Sequence, residues 1–257
     1  MDTKIYIYRI EKEYIEEHLD EIASALPEWR RKKIEKLRRI DSKVVSAAAG
    51  SLLYHVLDKE YGINPEELDI KEGTKGKPES DKLFFNISHS GEYIALAVSD
   101  KNIGVDIEYK DDRGGRIAKR FFTEEEIRFI SEEGLGEESI KGDSGMVGYA
   151  ADAESAERVD GGAETQKRFR KIWTMKESCI KLLGAGLSIP LNKIPVDPIE
   201  CTADVSGFPE YKMDKVHFMC FDFTGEDEKG YSVSVCTENI LKNAVKYIQY
   251  YGCIFSE

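Results

Sequence analysis

The chain has 257 residues, of which 41% are hydrophobic and 33% are charged, and its formal net charge is −12. This length allows one large domain or two small ones, each with its own core. The acidic balance argues against a general nucleic-acid binder, and no apolar run approaches the roughly 18 residues of a membrane-spanning helix.

The cysteines and the N-terminus indicate a reducing compartment. Five cysteines are present, without a CxxC or Cys/His spacing of zinc type, so free thiols are the simplest interpretation. The first residues, MDTKIYIYRI, alternate like a strand and lack the basic start and continuous apolar stretch of a signal peptide. We therefore expect a cytoplasmic protein that acts on soluble partners.

Strand and helix patterns alternate in the first part of the chain. They predict a strand at 4–10, a basic helix at 28–40, an apolar helix at 43–60, a loop at 73–78, a hairpin with strands at 83–88 and 93–99, and a third strand at 103–108. The apolar helix should bury one stripe of side chains, formed by Leu52, Leu53, Val56 and Leu57.

The remaining elements include a helix at 116–121, a helix after Thr123 that begins with a capping box to Glu126, a helix at 169–183, strands at 216–223 and 231–237, and a helix at 239–250. Residues 131–168 contain seven glycines and one aromatic residue, which predicts a mobile insertion. Because the strand–turn–strand pattern recurs, we expect an α+β fold of two similar two-layer α/β halves, at 1–103 and 104–257.

The strand IGVDIE carries the first candidate site. Ile103, Val105 and Ile107 should face a core, while Asp106 and Glu108 share the other face about 6.6–7 Å apart. Neighbouring carboxylates repel each other unless a cation neutralises them, and Mg²⁺ usually takes one or two carboxylates plus phosphate oxygens and water. A solvated acidic face on an ordinary amphipathic strand explains the same spacing.

The helix at 169–183 carries the second candidate site. Its buried face is predicted to contain Ile172, Met175, Cys179, Leu182 and Leu183. Trp173, Glu177 and Lys181 are four residues apart and line another face. Glu177 is a candidate metal ligand or general base, and Lys181 can neutralise a leaving phosphate. The alternative is a routine Glu–Lys surface pair.

Two further features suit a phosphate ligand. His89 lies in a turn between Ser88 and Ser90, and Gly91 allows the backbone to approach a ligand closely. Eight Lys or Arg residues fall between Arg30 and Lys43, and this local excess suits a polyphosphate, a nucleic acid or simply a solvated helix.

Taken in order, these segments resemble the Sfp-type 4′-phosphopantetheinyl transferase superfamily. The matching stretches are GKP at 76–78, FNISHSG at 85–91, IGVDIE at 103–108, IAKRFFTEEE at 117–126 and WTMKESCIKLLGAGL at 173–187. The resemblance implies a pseudo-dimer of two α/β halves with the active site in the cleft between them. It also implies that the enzyme moves 4′-phosphopantetheine from coenzyme A to a serine of an apo acyl or peptidyl carrier protein and releases 3′,5′-ADP.

The resemblance assigns roles to individual residues. Asp106, Glu108 and Glu177 match the magnesium site, and Glu177 and Lys181 match catalytic positions. The coenzyme A contacts are expected from Lys77, Ser88, His89, Lys176 and Lys32. We expect a monomer that binds Mg²⁺, coenzyme A and the carrier, and neither nucleic acid nor a membrane.

Three alternatives stay open from the sequence. A non-catalytic coenzyme A or carrier-protein binding module would keep the fold without needing Asp106, Glu108, Glu177 and Lys181 together. A nucleic-acid binder would use the basic helix and show a steep salt dependence. The short, trimeric carrier synthases have about half this length, so the doubled pattern disfavours them. The sequence leaves open whether the carrier serves fatty acid, polyketide, peptide or lysine-pathway synthesis.

Overall fold

The structure, a computed structural model, describes residues 3–64, 68, 70–72, 77–80, 83–109, 120–131, 162–240 and 246–250. Within these ranges the chain has a mixed α+β fold with two main sheets and six α-helices. Most of the predicted insertion, from 132 to 161, and most of the helix predicted at 116–121 lie outside the described residues.

The described helices are α1 (Lys12–Glu17), α2 (Leu19–Ala25), α3 (Glu28–Lys36), α4 (Ile40–Tyr61), α5 (Glu124–Ser131) and α6 (Ala163–Leu183). The strands are β1 (Lys4–Arg9), β2 (Lys71–Glu72), β3 (Pro78–Glu79), β4 (Phe84–Ser90), β5 (Tyr93–Ser99), β6 (Ile103–Glu108), β7 (Val196–Asp197), β8 (Thr202–Asp204), β9 (Lys215–Thr224), β10 (Gly230–Thr237) and β11 (Lys246–Tyr250). No described helix combines the length and the apolar character that crossing a membrane requires.

Two main sheets contain nine of these strands, and β2 pairs with β3 in a separate two-stranded sheet. The first sheet has the order β11-β1-β5-β4, and the second has the order β6-β10-β9-β8-β7. Strands β4 and β5 form the first predicted hairpin, and β9 and β10 form the second. The third predicted strand, β6, pairs antiparallel with β10 and therefore belongs to the second sheet.

The two sheets pack face to face, with helices on their outer faces. On β1, Ile5 and Ile7 pack against the second sheet, whereas Tyr6 and Tyr8 pack against the cluster formed with α4. This division follows from the alternation of side chains along a strand. The stripe predicted on α4 is fully buried: Leu52, Leu53, Val56 and Leu57.

The capping box predicted at the start of α5 is present. The backbone N–H of Thr123 donates to Oε2 of Glu126 at 2.8 Å, and the backbone N–H of Glu126 donates to Oγ1 of Thr123 at 3.3 Å. The buried face predicted for α6 is also confirmed at all five positions: Ile172, Met175, Cys179, Leu182 and Leu183. Within the described ranges, Cys179, Cys201, Cys220 and Cys236 are free thiols.

Several element predictions were wrong. Residues 246–250, predicted as part of a helix, form β11, which pairs in parallel with the open edge of β1. Helix α6 begins at Ala163, so residues 163–168 are helical and do not belong to a loop. The two helices predicted at 28–40 and 43–60 are both present with shifted boundaries, because α3 ends at Lys36 and α4 begins at Ile40. The division of the chain at residues 103 and 104 stays a prediction.

Candidate active site

Helix α6 approaches strand β6 at Gly104, and this contact positions the site. A Cβ atom at Gly104 would overlap the carbonyl oxygen of Ser178 and lie 2.5 Å from the backbone nitrogen of Leu182. A glycine inside a strand is the residue that permits such a close approach of another backbone. The contact lays α6 across β6 at Ser178 and Leu182, each of which directly follows one of the charged residues Glu177 and Lys181.

A cavity of about 390 Å³ lies where β4, β6 and α6 meet. It contains six of the residues that the sequence predicts for the site, together with Trp173 and Ile87. The six are Ser88, His89, Asp106, Glu108, Glu177 and Lys181. Residues from two sheets and one helix therefore converge, although they are distant in sequence.

Asp106 is the most deeply buried acidic residue of the cavity, with 4% of its surface exposed. Its Oδ1 atom accepts hydrogen bonds from Oγ of Ser88 at 2.8 Å and from Nζ of Lys181 at 2.6 Å. Lys181 also donates to Oγ of Ser88 at 2.7 Å. The Oδ2 atom of Asp106 is buried and has no hydrogen-bond partner among the described residues.

The other two carboxylates line the same cavity at its more open side. Glu108 is partly buried and accepts a hydrogen bond from Oγ of Ser90 at 2.8 Å. Glu177, also partly buried, extends from α6 one turn before Lys181. The three carboxylates and Lys181 thus line one cavity, where the ammonium can attract the negative charge of a substrate.

The donor set fits a hard divalent cation. The unpartnered oxygen of Asp106 is a buried anionic ligand, and such an atom is costly to leave without a proton donor or a cation. In the described part of the chain, no three Asp, Glu, His or Cys side chains lie close enough together to hold a metal ion by themselves. Mg²⁺ is usually held by one or two carboxylates and completed by substrate phosphates and water, so this arrangement suits it.

His89 projects into the cavity as a neutral base or hydrogen-bond donor. The residue is exposed at the cavity surface, but protein atoms around the ring remove part of its water. This desolvation and then the positive charge of Lys181 lower the pKa of His89 below its ordinary value, while Asp106 acts in the opposite direction. The imidazole is therefore neutral at pH 7, and its N–H can donate to a phosphate oxygen.

A larger cleft of about 930 Å³ adjoins the acidic cavity and shares Ile87, His89 and Lys181 with it. Cationic side chains from four regions of the chain line it: Lys12, Arg30, Lys33, Arg39, Lys77 and Lys181. Asp41 is the one acidic residue among those that line it in the described part of the chain. This charge distribution favours a ligand with several phosphate groups.

Lys77 and Lys32, two of the three lysines expected to contact coenzyme A, have different surroundings. Lys77 lines the larger cleft, and its ammonium donates to Oδ1 of Asn102 at 2.8 Å. Lys32 is 61% exposed, pairs with Glu28 on α3 and does not line either cavity. Its neighbour Lys33 faces the cleft instead, because adjacent residues on a helix point about 100° apart.

Lys176 lies in the core and away from the cavity, which differs from the expected contact with coenzyme A. Its side chain is fully buried, and Nζ lies 2.9 Å from Oε1 of Glu126. The same ammonium donates to the carbonyl oxygens of Leu191 and Ile194 at 2.9 and 2.7 Å. Burial lowers the pKa of Lys176, and Glu126 opposes this effect. These contacts fasten α6 to α5 and to the segment that precedes β7.

Several contacts at the site were not predicted from the sequence. Gly104 and Ser90 were part of recognised motifs, yet their contacts across the two sheets depend on tertiary packing. A glycine inside an alternating strand was the available signal for Gly104. Lys12 and Arg39 were missed because nothing in the sequence shows which side of a basic segment faces a cleft.

Two family models match the chain. A family model described as the 4′-phosphopantetheinyl transferase superfamily matches residues 102–236. A second, described as the N-terminal region of 4′-phosphopantetheinyl transferase, matches residues 13–101. Together they cover both halves of the cavity, including β4, β6 and α6.

Characterised relatives are similar over most of the chain. The 4′-phosphopantetheinyl transferase ffp of Bacillus subtilis is 28% identical over 236 residues, which is 91% of both chains. The transferase Sfp of Bacillus subtilis (strain 168) is 25% identical over the same share of both chains. The L-aminoadipate-semialdehyde dehydrogenase-phosphopantetheinyl transferase of Xenopus laevis is 29% identical over 65% of this chain and 53% of its own.

Proposed function

Because the chain belongs to the 4′-phosphopantetheinyl transferase superfamily, we propose that it transfers 4′-phosphopantetheine from coenzyme A to a serine of a carrier protein. The observation that carries this proposal is the junction of an acidic cavity with a cationic cleft. Asp106, Glu108, Glu177 and Lys181 line the first, and Lys181 also lines the second. A diphosphate that enters along the cleft would reach the carboxylates at this junction.

The cationic cleft is the proposed coenzyme A site. Arg30, Lys33 and Arg39 come from the N-terminal helices, and Lys181 comes from α6 on the opposite wall. Charged donors on both walls can hold phosphate groups at several points, which fixes the diphosphate relative to the reacting atoms. His89 lies where the cleft meets the acidic cavity and can donate to a phosphate oxygen there, and Ser88 lines the acidic cavity beside it.

Asp106, Glu108 and Glu177 are the proposed ligands of Mg²⁺. When bound, Mg²⁺ would supply charge neutralisation and polarisation of the diphosphate oxygens. Asp106 suits this role because one of its oxygens is buried without a partner in the described structure, while Ser88 and Lys181 fix the other. Its carboxylate plane is therefore held before any ligand arrives.

Glu177 and Lys181 carry the proposed proton transfers. The serine hydroxyl of the carrier attacks the phosphorus on the pantetheine side, a new P–O bond forms, and the P–O bond to 3′,5′-ADP breaks. Glu177 accepts the hydroxyl proton, and Lys181 neutralises or protonates the departing phosphate. The two residues are one helical turn apart on α6, so one rigid element positions the base and the cation together.

Mass spectrometry of a carrier protein tests the proposal directly. The chain is incubated with coenzyme A, Mg²⁺ and several apo carriers, including those of fatty acid and peptide synthesis. We expect a mass increase of one phosphopantetheine group on at least one carrier, and no increase when Mg²⁺ is chelated. No increase on any carrier, together with binding of coenzyme A, would favour the non-catalytic binding module.

A further inference from the structure

Alternate side chains of strand β4 form hydrogen bonds with strand β6. Asn86, Ser88 and Ser90 lie two residues apart on β4, so they share one face of the strand. Oδ1 of Asn86 accepts a hydrogen bond from the backbone N–H of Val105 at 2.9 Å, and this bond sets the register between the two sheets. Ser88 and Ser90 then lie opposite the two acidic residues of β6.

The two serines make equivalent bonds to the two carboxylates. Oγ of Ser88 donates to Asp106 and Oγ of Ser90 donates to Glu108, both at 2.8 Å. Hydrogen bonds to an ionised acceptor are stronger than those between neutral groups. The candidate ligands on the second sheet are therefore oriented by hydroxyl groups of the first sheet.

The hydroxyl of Ser90 is itself held in one orientation. Its oxygen accepts the backbone N–H of Tyr109 at 3.4 Å, which leaves its single proton for Glu108. Ser90 is 8% exposed, so water has little access to compete for the bond. The next residue, Gly91, has φ of +58° and lies against the Tyr109 ring and the Tyr231 hydroxyl, so the turn has little room to shift.

We propose that Ser90 is a positioning residue that fixes the carboxylate of Glu108 for binding a divalent cation. The inference rests on the proposed function, because the cation is the one that Asp106, Glu108 and Glu177 would hold. Ser90 acts through Glu108 and needs no contact with substrate. Without its hydroxyl, the Glu108 carboxylate loses one of the contacts that orient it, and the entropy cost of ordering it for the cation reduces the affinity.

Ser90 allows a cleaner test than Ser88. Ser88 bonds to both Asp106 and Lys181, so its removal would disturb two catalytic groups at once. The hydrogen bonds that the described structure shows for the Ser90 side chain go to Glu108 and Tyr109 alone. Ser90→Ala therefore changes the support of one proposed ligand and leaves the Lys181–Asp106 pair in place.

Calorimetric titration of Mg²⁺ into the protein saturated with coenzyme A, without carrier, measures cation affinity apart from turnover. We expect Ser90→Ala to weaken Mg²⁺ binding about tenfold, as is common when the partner of a metal ligand is removed. In the transfer assay, the half-saturating Mg²⁺ concentration should rise by about the same factor, with kcat at saturating Mg²⁺ and KM for coenzyme A within about twofold of wild type.

Two further variants make the test specific. Ser90→Thr keeps a hydroxyl and should restore most of the Mg²⁺ affinity, while Ser90→Cys keeps the volume with a weaker donor and covers the case in which the alanine variant folds poorly. Ser99→Ala is the matched control, because Ser99 is a buried serine whose hydroxyl bonds to Thr3, away from the cavity. Its Mg²⁺ affinity should equal that of wild type.

Wild-type Mg²⁺ affinity in both Ser90→Ala and Ser90→Cys would overturn the inference about Ser90 and leave the transferase proposal intact. A wild-type protein that transfers no phosphopantetheine to any carrier would instead count against the proposed function. In that case the calorimetric comparison of wild type with Ser90→Ala still decides whether the serine supports a cation site.

Discussion

Nζ of Lys181 on helix α6 lies 2.6 Å from Oδ1 of Asp106 on strand β6. This pair joins a predicted catalytic residue to a predicted metal ligand that precedes it by 75 residues. The contact exists because α6 crosses β6 at Gly104, where the absence of a side chain lets the helix backbone touch the strand. The geometry of the site therefore depends on packing at a residue without functional groups.

Gly104→Ala should separate α6 from β6. Its Cβ would meet backbone atoms of Ser178 and Leu182, which cannot rotate away as a side chain can. Overpacking of this kind costs about 3 kcal/mol of unfolding free energy, and any folded protein should have lost transfer activity because Lys181 and Glu177 move from Asp106. Urea unfolding and the carrier mass assay measure the two effects.

A matched glycine substitution separates this steric effect from the general effect of adding a methyl group. Gly207 has no heavy atom within 4 Å of an added Cβ. Gly207→Ala should change the unfolding free energy by less than about 0.5 kcal/mol and keep full activity. Equal stabilities for the two variants would contradict the role assigned to Gly104.

Lys176→Met should destabilise the fold and leave coenzyme A binding unchanged. The substitution leaves Glu126 buried in the core without its cation. Breaking a buried ion pair in this way lowers the free energy of unfolding by about 3–5 kcal/mol. The double variant Glu126→Gln/Lys176→Met should recover part of that loss. Chemical denaturation gives the stabilities, and a KM for coenzyme A raised severalfold in folded Lys176→Met would show that Lys176 contacts the ligand after all.

Lys33 and Lys32 form a matched pair that tests the cationic cleft. Lys33 lines the cleft and Lys32 does not, although the two lie side by side on α3. Lys33→Gln should raise the KM for coenzyme A about tenfold, the effect of losing one charge-assisted hydrogen bond, with little change in kcat. Lys32→Gln should behave as wild type, and the opposite ranking in steady-state kinetics would place coenzyme A elsewhere.

Protonation of His89 should lower the free energy of unfolding in mild acid. Its pKa is lowered in the folded protein by burial and by Lys181, so between that value and the ordinary 6.5 the unfolded chain binds more protons than the folded one. Stability therefore falls as the pH drops below about 6.5.

Proton NMR of the imidazole signals across pH 5–8 measures this titration, and the signal missing in His89→Gln identifies the residue. The variant should also show a weaker loss of unfolding free energy between pH 7 and pH 5 than wild type. A midpoint above 6.5 would mean that a negative charge, rather than Lys181, dominates the environment of the ring.

Local sequence patterns were sufficient to predict the strands and helices that carry the site residues. Alternation predicted β4, β5 and β6, and the capping box at Thr123 predicted the start of α5. Helical spacing predicted that Glu177 and Lys181 share a face, and both line the cavity. These features depend on neighbours a few residues away, which the sequence displays directly.

Long-range packing was not visible in the sequence. Strand β11 pairs with the open edge of β1, and no local feature of residues 246–250 indicates that β1 is its partner. Lys176 could not be assigned to the core from its position, since its burial depends on Glu126 and on the carbonyl groups of a distant loop. The contacts of β4 with β6 likewise arise only when the two sheets pack.

In the proposed mechanism, the carboxylate of Asp106 makes the cavity a cation-dependent transfer site. Asp106→Asn keeps the shape and can still bond to Ser88, but it removes the charge, so the rate of phosphopantetheine transfer should fall about a hundredfold or more. The decisive measurement is the rate of carrier mass gain for wild type and Asp106→Asn, with Mg²⁺ varied, in proteins of equal thermal stability. We predict Mg²⁺-dependent transfer by wild type alone. Transfer by Asp106→Asn at the wild-type rate, with the same Mg²⁺ dependence, would contradict the role proposed for Asp106.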